Sequence, residues 1–181
     1  MIQSAWLVHY KDKTDEESME WQIEGYRIST DKSKLDLSMI HHYLYTTAHW
    51  AVGRPMSIVR KSIENSLCFG LYDGDQQVGF ARLVTDSAIV GWICDMFILP
   101  SHQGNGLGRW LVECMMDHPD IKGLRRILLN TRDAHDLYIK YAGFRPLLKP
   151  DSWLERFNES PLRNAKPVIQ TRPTNQSTKA K

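Results

Sequence analysis

The chain has 181 residues, 42% of them hydrophobic, with 23 basic and 21 acidic side chains. That length suits one domain with a sizeable core. Five basic residues and no acid fall between Arg163 and Lys181, leaving 18 basic against 21 acidic before them, a balance that argues against a basic nucleic-acid-binding face.

The N-terminus lacks the basic start and small-residue cleavage site of a signal peptide. Residues 1–20 read as an N-terminal extension, with an edge strand over 5–10 and a solvated charged loop over 11–20. A strand follows over 21–30. Asp36 or Ser33 caps a helix over 35–46, where Leu37, Ile40 and Leu44 recur at helical spacing, and a second helix covers 57–65. Strands over 67–72 and 78–85 flank the tight turn Asp73-Gly74-Asp75. The apolar run 88–99 supplies another strand. Broken by Asp95, that run is too short to span a bilayer.

Beyond it, a helix over 103–116 carries Leu107, Leu111, Cys114 and Met115 as a buried stripe and ends at His118-Pro119. A buried strand over 125–130, a helix over 134–141 and a last strand over 144–148 complete the order. Residues 151–181 read as a C-terminal extension, and the polar composition beyond 163 favours disorder. Cys68, Cys94 and Cys114 form no C-x-x-C pair, so a disulfide framework and a zinc ribbon are both unexpected. A cytoplasmic protein with no membrane association is the resulting expectation.

The most informative stretch is Gln103-Gly104-Asn105-Gly106-Leu107-Gly108-Arg109. It joins an apolar strand to an amphipathic helix through three alternating glycines. Backbone N–H groups at such a helix start can point at an anion, with the helix dipole assisting. Arg109 and Trp110 stand where a phosphate-and-magnesium loop would need Lys and Ser or Thr. A pyrophosphate-bearing ligand that needs no metal fits better.

Gln103-x-x-Gly106-x-Gly108 resembles the Q/R-x-x-G-x-G/A signature of the GNAT N-acetyltransferase superfamily. The resemblance extends to Leu71-Tyr-Asp-Gly74, Val78-Gly79-Phe-Ala-Arg82, Asn130-Thr-Arg-Asp133-Ala-His135-Asp-Leu-Tyr138 and Gly143-Phe144. The ordered set covers roughly residues 23–148. It implies an α+β fold over residues 21–150, a mixed, mostly antiparallel sheet of about seven strands flanked by about four helices and splayed at the cofactor-binding strand. It also implies an acetyl-CoA-dependent N-acetyltransferase, with acetyl-CoA as co-substrate, an amine acceptor and no metal, acting as a monomer or homodimer.

Carried over residue by residue, the resemblance places pantetheine along the backbone of Met96, Phe97 and Ile98. It puts the pyrophosphate at Gln103, Gly104, Asn105, Gly106, Leu107, Gly108 and Arg109, with Asn130 in the same cofactor set. Tyr138 matches the family's general acid, the tyrosine that reprotonates the coenzyme thiolate. It lies five residues before Gly143 where the family commonly has four, so Tyr141 is the alternative. The base is open between Asp95, His135 and water. Trp50 and Arg54 fall in the acceptor-lining loop, as acceptor contacts or as loop anchors. Adjacent His41 and His42 diverge by about 100° on a helix and cannot make a good metal pair. A non-catalytic acyl-CoA-binding module is the competing reading. A nucleotide-binding oxidoreductase is disfavoured, because its G-x-G-x-x-G and closing acidic residue are missing.

Overall fold

The computed structural model describes residues 18–158 and the backbone of His9–Tyr10. Strands β1 (His9–Tyr10), β2 (Met19–Ile23) and β3 (Tyr26–Ser29) come first, then helices α1 (Leu37–Thr46) and α2 (Met56–Glu64). Strands β4 (Leu67–Asp73), β5 (Gln76–Thr85) and β6 (Val90–Ile98) follow. Helices α3 (Leu107–Asp117) and α4 (Pro119–Lys122), strand β7 (Arg126–Leu128) and helix α5 (His135–Ala142) complete the order. The seven strands form one sheet in sequence order, antiparallel except for the parallel β6–β7 pair.

Local chemistry explains most boundaries. Asp36 caps α1, its carboxylate accepting from the N–H groups of Ser38 and Met39. Gly74, at φ +55, turns β4 into β5, and the register closes at Asp73 opposite Gln76. Gly143 ends α5 in the left-handed conformation.

Three expectations need correction. The strand expected over 21–30 is the β2–β3 hairpin, reversed at Glu24-Gly25, where both residues have positive φ. Expected strand 144–148 does not form among the described residues. Pro146 offers no ladder donor, and Leu147 and Leu148 stay exposed. His118-Pro119 ends α3 as expected, but His118 then caps a further short helix, α4, by accepting from the Asp120 N–H. Of the edge strand expected over 5–10, only His9–Tyr10 are described; residues 11–17 of the expected loop and the tail beyond 158 lie outside the described residues.

The sheet is covered on both faces. One core joins Trp21, Phe69, Leu71 and Leu83 to Leu107, Leu111 and Met115 of α3 and to Tyr138 of α5. The other joins Phe80 and Phe97 to Ile40 and Leu44 of α1 and Val59 and Ile63 of α2. Among the described residues no helix is long and apolar enough to cross a membrane.

Two features of β6 position everything that follows. Its pairing with β7 runs only from Val90 opposite Arg126 to Trp92 opposite Leu128, so the strands part beyond Trp92. Its pairing with β5 slips between Phe80 and Arg82, and Asp95, at this slip, has φ +49. This is a β-bulge with a non-glycine residue in left-handed space, which Asp tolerates better than most.

Burial gives the fold an alkaline weakness. It pushes the Tyr72 and Tyr138 phenols and the Cys68 thiol each up to about 12, and raises the Cys114 thiol. The unfolded chain sheds these protons first, so their stabilising contribution is whole below pH 9 and declines as pH rises toward 12. The urea midpoint should therefore fall steadily from pH 9 to pH 11. A midpoint constant across that range would contradict the burial of these groups.

Candidate active site

The splay leaves β6 residues 93–98 without a ladder partner on the β7 side. Backbone groups there can accept an extended ligand as an added strand. Their side chains fix the edge in place. Phe97 is buried and stacks on Tyr43 of α1, with ring centroids 3.9 Å apart and planes 11° from parallel. Ile98 is buried beneath the glycine turn, and its carbonyl accepts from Gln103 Nε2 at 2.8 Å. Gln103 thus ties the turn to the end of β6.

The turn itself is open. Gly104 and Gly106 have φ +84 and +77, and a Cβ at either would meet nothing within 4 Å. Gly106 is the α3 N-cap, and no side chain caps the helix. The first helical bond runs from the Trp110 N–H to the Gly106 carbonyl at 3.0 Å. The Leu107, Gly108 and Arg109 amides precede it, the positions a helix leaves without internal acceptors. No acidic residue lies in that first turn. The helix end carries about half a positive charge, and a pyrophosphate would complete its hydrogen bonding.

Leu107 anchors the start of α3 in the core, while Asn105 is exposed and its side chain approaches the His102 carbonyl at 3.5 Å. Arg109 is exposed, paired with Glu113 at 2.8 Å and stacked over the Tyr141 ring at 4.5 Å. Asn130 is exposed beyond the end of β7.

The two candidate tyrosines separate cleanly. Helix α5 is unbroken from His135 to Ala142. Tyr141 lies on its outer side with Arg109. Tyr138 is 7% exposed and turns inward, its hydroxyl donating to Met96 Sδ at 3.2 Å on the unpaired stretch of β6. Burial holds that phenol at about 12, so it keeps its proton at neutral pH. His135 is exposed in the first turn of α5.

On the opposite side of β6 sits an ion cluster. The buried Asp95 carboxylate accepts from Arg54 Nη1 and Arg82 Nε, both at 2.7 Å to Oδ2, and from Trp50 Nε1 at 3.1 Å to Oδ1. Arg82 also donates to Ser66 Oγ at 3.1 Å. Burial alone would raise the Asp95 pKa, but the charges and hydrogen bonds of Arg82 and Arg54 hold it below the usual carboxylate value. Such a carboxylate is a feeble base at neutral pH. Trp50 and Arg54, expected in the acceptor-lining loop, thus both meet Asp95.

Arg82 and Ser66 join the Asp95 cluster and Tyr43 packs on the same strand, residues to which the sequence alone gives no role. Only Arg82 leaves a trace in the sequence, a lone charge inside the apolar run of β5. His41 Nε2 lies 3.2 Å from the Arg54 carbonyl oxygen, and His49 Nδ1 lies 3.4 Å from Arg132 Nη2.

The acetyltransferase (GNAT) family model matches residues 37–144, from the start of α1 to just past the α5 cap. A Gibberella zeae relative, named as a candidate acetyltransferase, is 31% identical over 147 residues, 69% of this chain and 82% of its own. The crystal structure of a Xanthomonas campestris protein assigned to the GNAT family matches with a TM-score of 0.72 and 42% identity, covering 76% of this chain and 96% of that one. A Clostridium acetobutylicum protein determined with acetyl-CoA shares the fold at 17% identity and a TM-score of 0.54, over 73% of this chain and 94% of its own. With its helices, the splayed strands β6 and β7 and the glycine turn inside the matched region, the chain belongs to the acetyltransferase (GNAT) family and is an N-acetyltransferase.

Proposed function

We propose that this enzyme moves the acetyl group of acetyl-CoA directly to an amine acceptor, with no metal. The observation that carries the proposal is the Tyr138 hydroxyl resting on Met96, at the unpaired stretch of the strand that leads into an uncapped, glycine-opened helix start. In this reading the Leu107, Gly108 and Arg109 amides hold the pyrophosphate, and Gln103 holds the turn. The β6 edge from Met96 to Ile98 receives the pantetheine arm, and one of its N–H groups polarises the thioester carbonyl. Asn105 and Asn130 border the same ligand.

The amine attacks the carbonyl carbon while the carbon–sulfur bond breaks, and the sulfur takes the proton from Tyr138. A phenol at about 12 is a weak acid in solution terms, and it donates here because the nascent thiolate forms beside it in a dry setting. The amine's own proton leaves to water or to His135. Asp95, spent on two guanidiniums and an indole, is a positioning residue rather than the base. It joins the acceptor loop carrying Trp50 and Arg54 to the β6 bulge.

The cradle is tested by coenzyme A without added metal, which should raise the melting temperature of the wild-type chain. Gly106→Val should cost about 1–2 kcal/mol of stability, because φ +77 strains any L side chain. It should also weaken coenzyme A binding about tenfold or more. Affinity within about threefold of wild type in a folded variant would remove the cradle from this turn.

The acid is tested by Tyr138→Phe, which keeps the ring against Phe144 and should lower kcat by roughly 10²–10⁴ with little change in KM for acetyl-CoA. Stability should fall by about 1 kcal/mol at most. Tyr141→Phe should be mild. A large kcat loss in Tyr141→Phe with normal Tyr138→Phe would exchange their roles.

A further inference from the structure

The helical cover on the α1–α2 face of the sheet stops abruptly. Along β5, Phe80 is fully buried under the two helices, Arg82 joins the ion cluster, and Val84 is 45% exposed. Side chains two residues apart share a face, so these three lie in one row. The neighbouring row on β6 behaves alike. Cys94, opposite Arg82, is half-buried, whereas Trp92 and Val90 are 45% and 47% exposed. Trp92 stands directly opposite Val84. An apolar strip therefore begins where the Trp50–Arg54–Asp95 cluster ends and runs away from the reacting edge.

Charge marks both ends of the strip. Arg54 and Arg82 share a single carboxylate at the inner end. At the outer end Arg126, opposite Val90, lies under the Trp153 ring at 5.1 Å, and the Asp86 carboxylate accepts from the Val90 N–H at 3.0 Å. Trp92 lies about 13 Å along β6 from Met96 at an ordinary strand rise, the span of a small extended molecule. The three side chains offer on the order of 250 Å² of open surface, an area that suits the body of a small amine.

We infer that the strip binds the body of the acceptor, an amine carried on an alkyl or aromatic group and bearing no second positive charge, with its nitrogen delivered past Asp95 to the Met96 step of β6. This rests on the acetyltransferase reading above and names its acceptor class. Continuity with the reacting edge selects the occupant. Apolar surface rewards the body and penalises a second ammonium laid along it, and the surplus of guanidinium over carboxylate at the inner end favours the neutral, attacking form of the amine.

Three amines of like basicity test it: ethylamine, hexylamine and pentane-1,5-diamine, the last matching hexylamine in length but ending in an ammonium. Thiol release from acetyl-CoA by the full chain gives kcat/KM for each. Hexylamine should exceed both others by about tenfold or more. Trp92→Ser should cut the hexylamine-to-ethylamine ratio to about threefold or less, and Val84→Ser should lower it in the same direction. Both residues are surface-exposed, and Val84→Ser carries the test if Trp92→Ser folds poorly. A wild-type ratio near one, a preference for the diamine, or an unchanged ratio in both variants would overturn the inference while leaving the acetyltransferase reading intact. A sedimenting mass halved by Trp92→Ser would overturn it in favour of a contact between two copies. Coenzyme A binding with no thiol release for any of the amines would instead strike the transfer reading itself.

Discussion

A buried carboxylate at a bulge organises this molecule. Asp95 sits at φ +49 in the middle of β6, and its oxygens are taken by Arg54, Arg82 and Trp50. Removing one partner from a buried ion pair commonly costs about 3–5 kcal/mol, because the other charge is stranded. The cluster therefore ties three separate pieces of chain: the loop after α1, the middle of β5, and β6 where it leaves β7. The strain of the bulge and the pull of the ion pairs act on one residue. Met96, immediately after it, supplies the contact for Tyr138.

The two sides of β6 divide the work. Toward the β7 gap, unpaired backbone, an open glycine turn and the start of α3 present hydrogen-bond donors and a positive dipole end to an anionic, extended ligand. On the α1–α2 side, an ion cluster and an apolar strip present a surface that suits a different molecule. The two meet at Asp95 and Met96. In the proposed reading, aligning both partners on one rigid strand would supply much of what direct transfer requires, since orientation alone can contribute about 7–11 kcal/mol toward a barrier.

Much of the fold is legible because its signals are local. The Asp36 cap, the Asp73-Gly74 turn, the glycines at 104 and 106 and the left-handed Gly143 each act through adjacent residues. Glu24-Gly25 is a signal of the same kind, weaker because Glu is uncommon at positive φ, and reading through it merges β2 and β3 into one strand. Strand 144–148 fails for the opposite reason, since apolar residues promise burial that only a partner strand could provide. At the site, the glycine turn shows in its spacing, whereas Tyr138 comes from the family resemblance alone, with Tyr141 left as the alternative. The destination of Asp95 does not show, because Trp50 and Arg54 lie 45 and 41 residues away in sequence and the register slip depends on β5. A lone acid on this strand reads as one candidate base beside His135 and water, and nothing in the sequence shows its three partners.

The most direct test is the pH dependence of kcat/KM in wild type and Asp95→Asn. If Asp95 positions the bulge, its carboxyl is ionised throughout the working range. The acidic limb then belongs to another group, and Asp95→Asn should lower the rate while leaving the apparent pKa of that limb in place. Disappearance of the acidic limb in Asp95→Asn, with the protein folded and coenzyme A still bound, would make Asp95 the base and contradict the account.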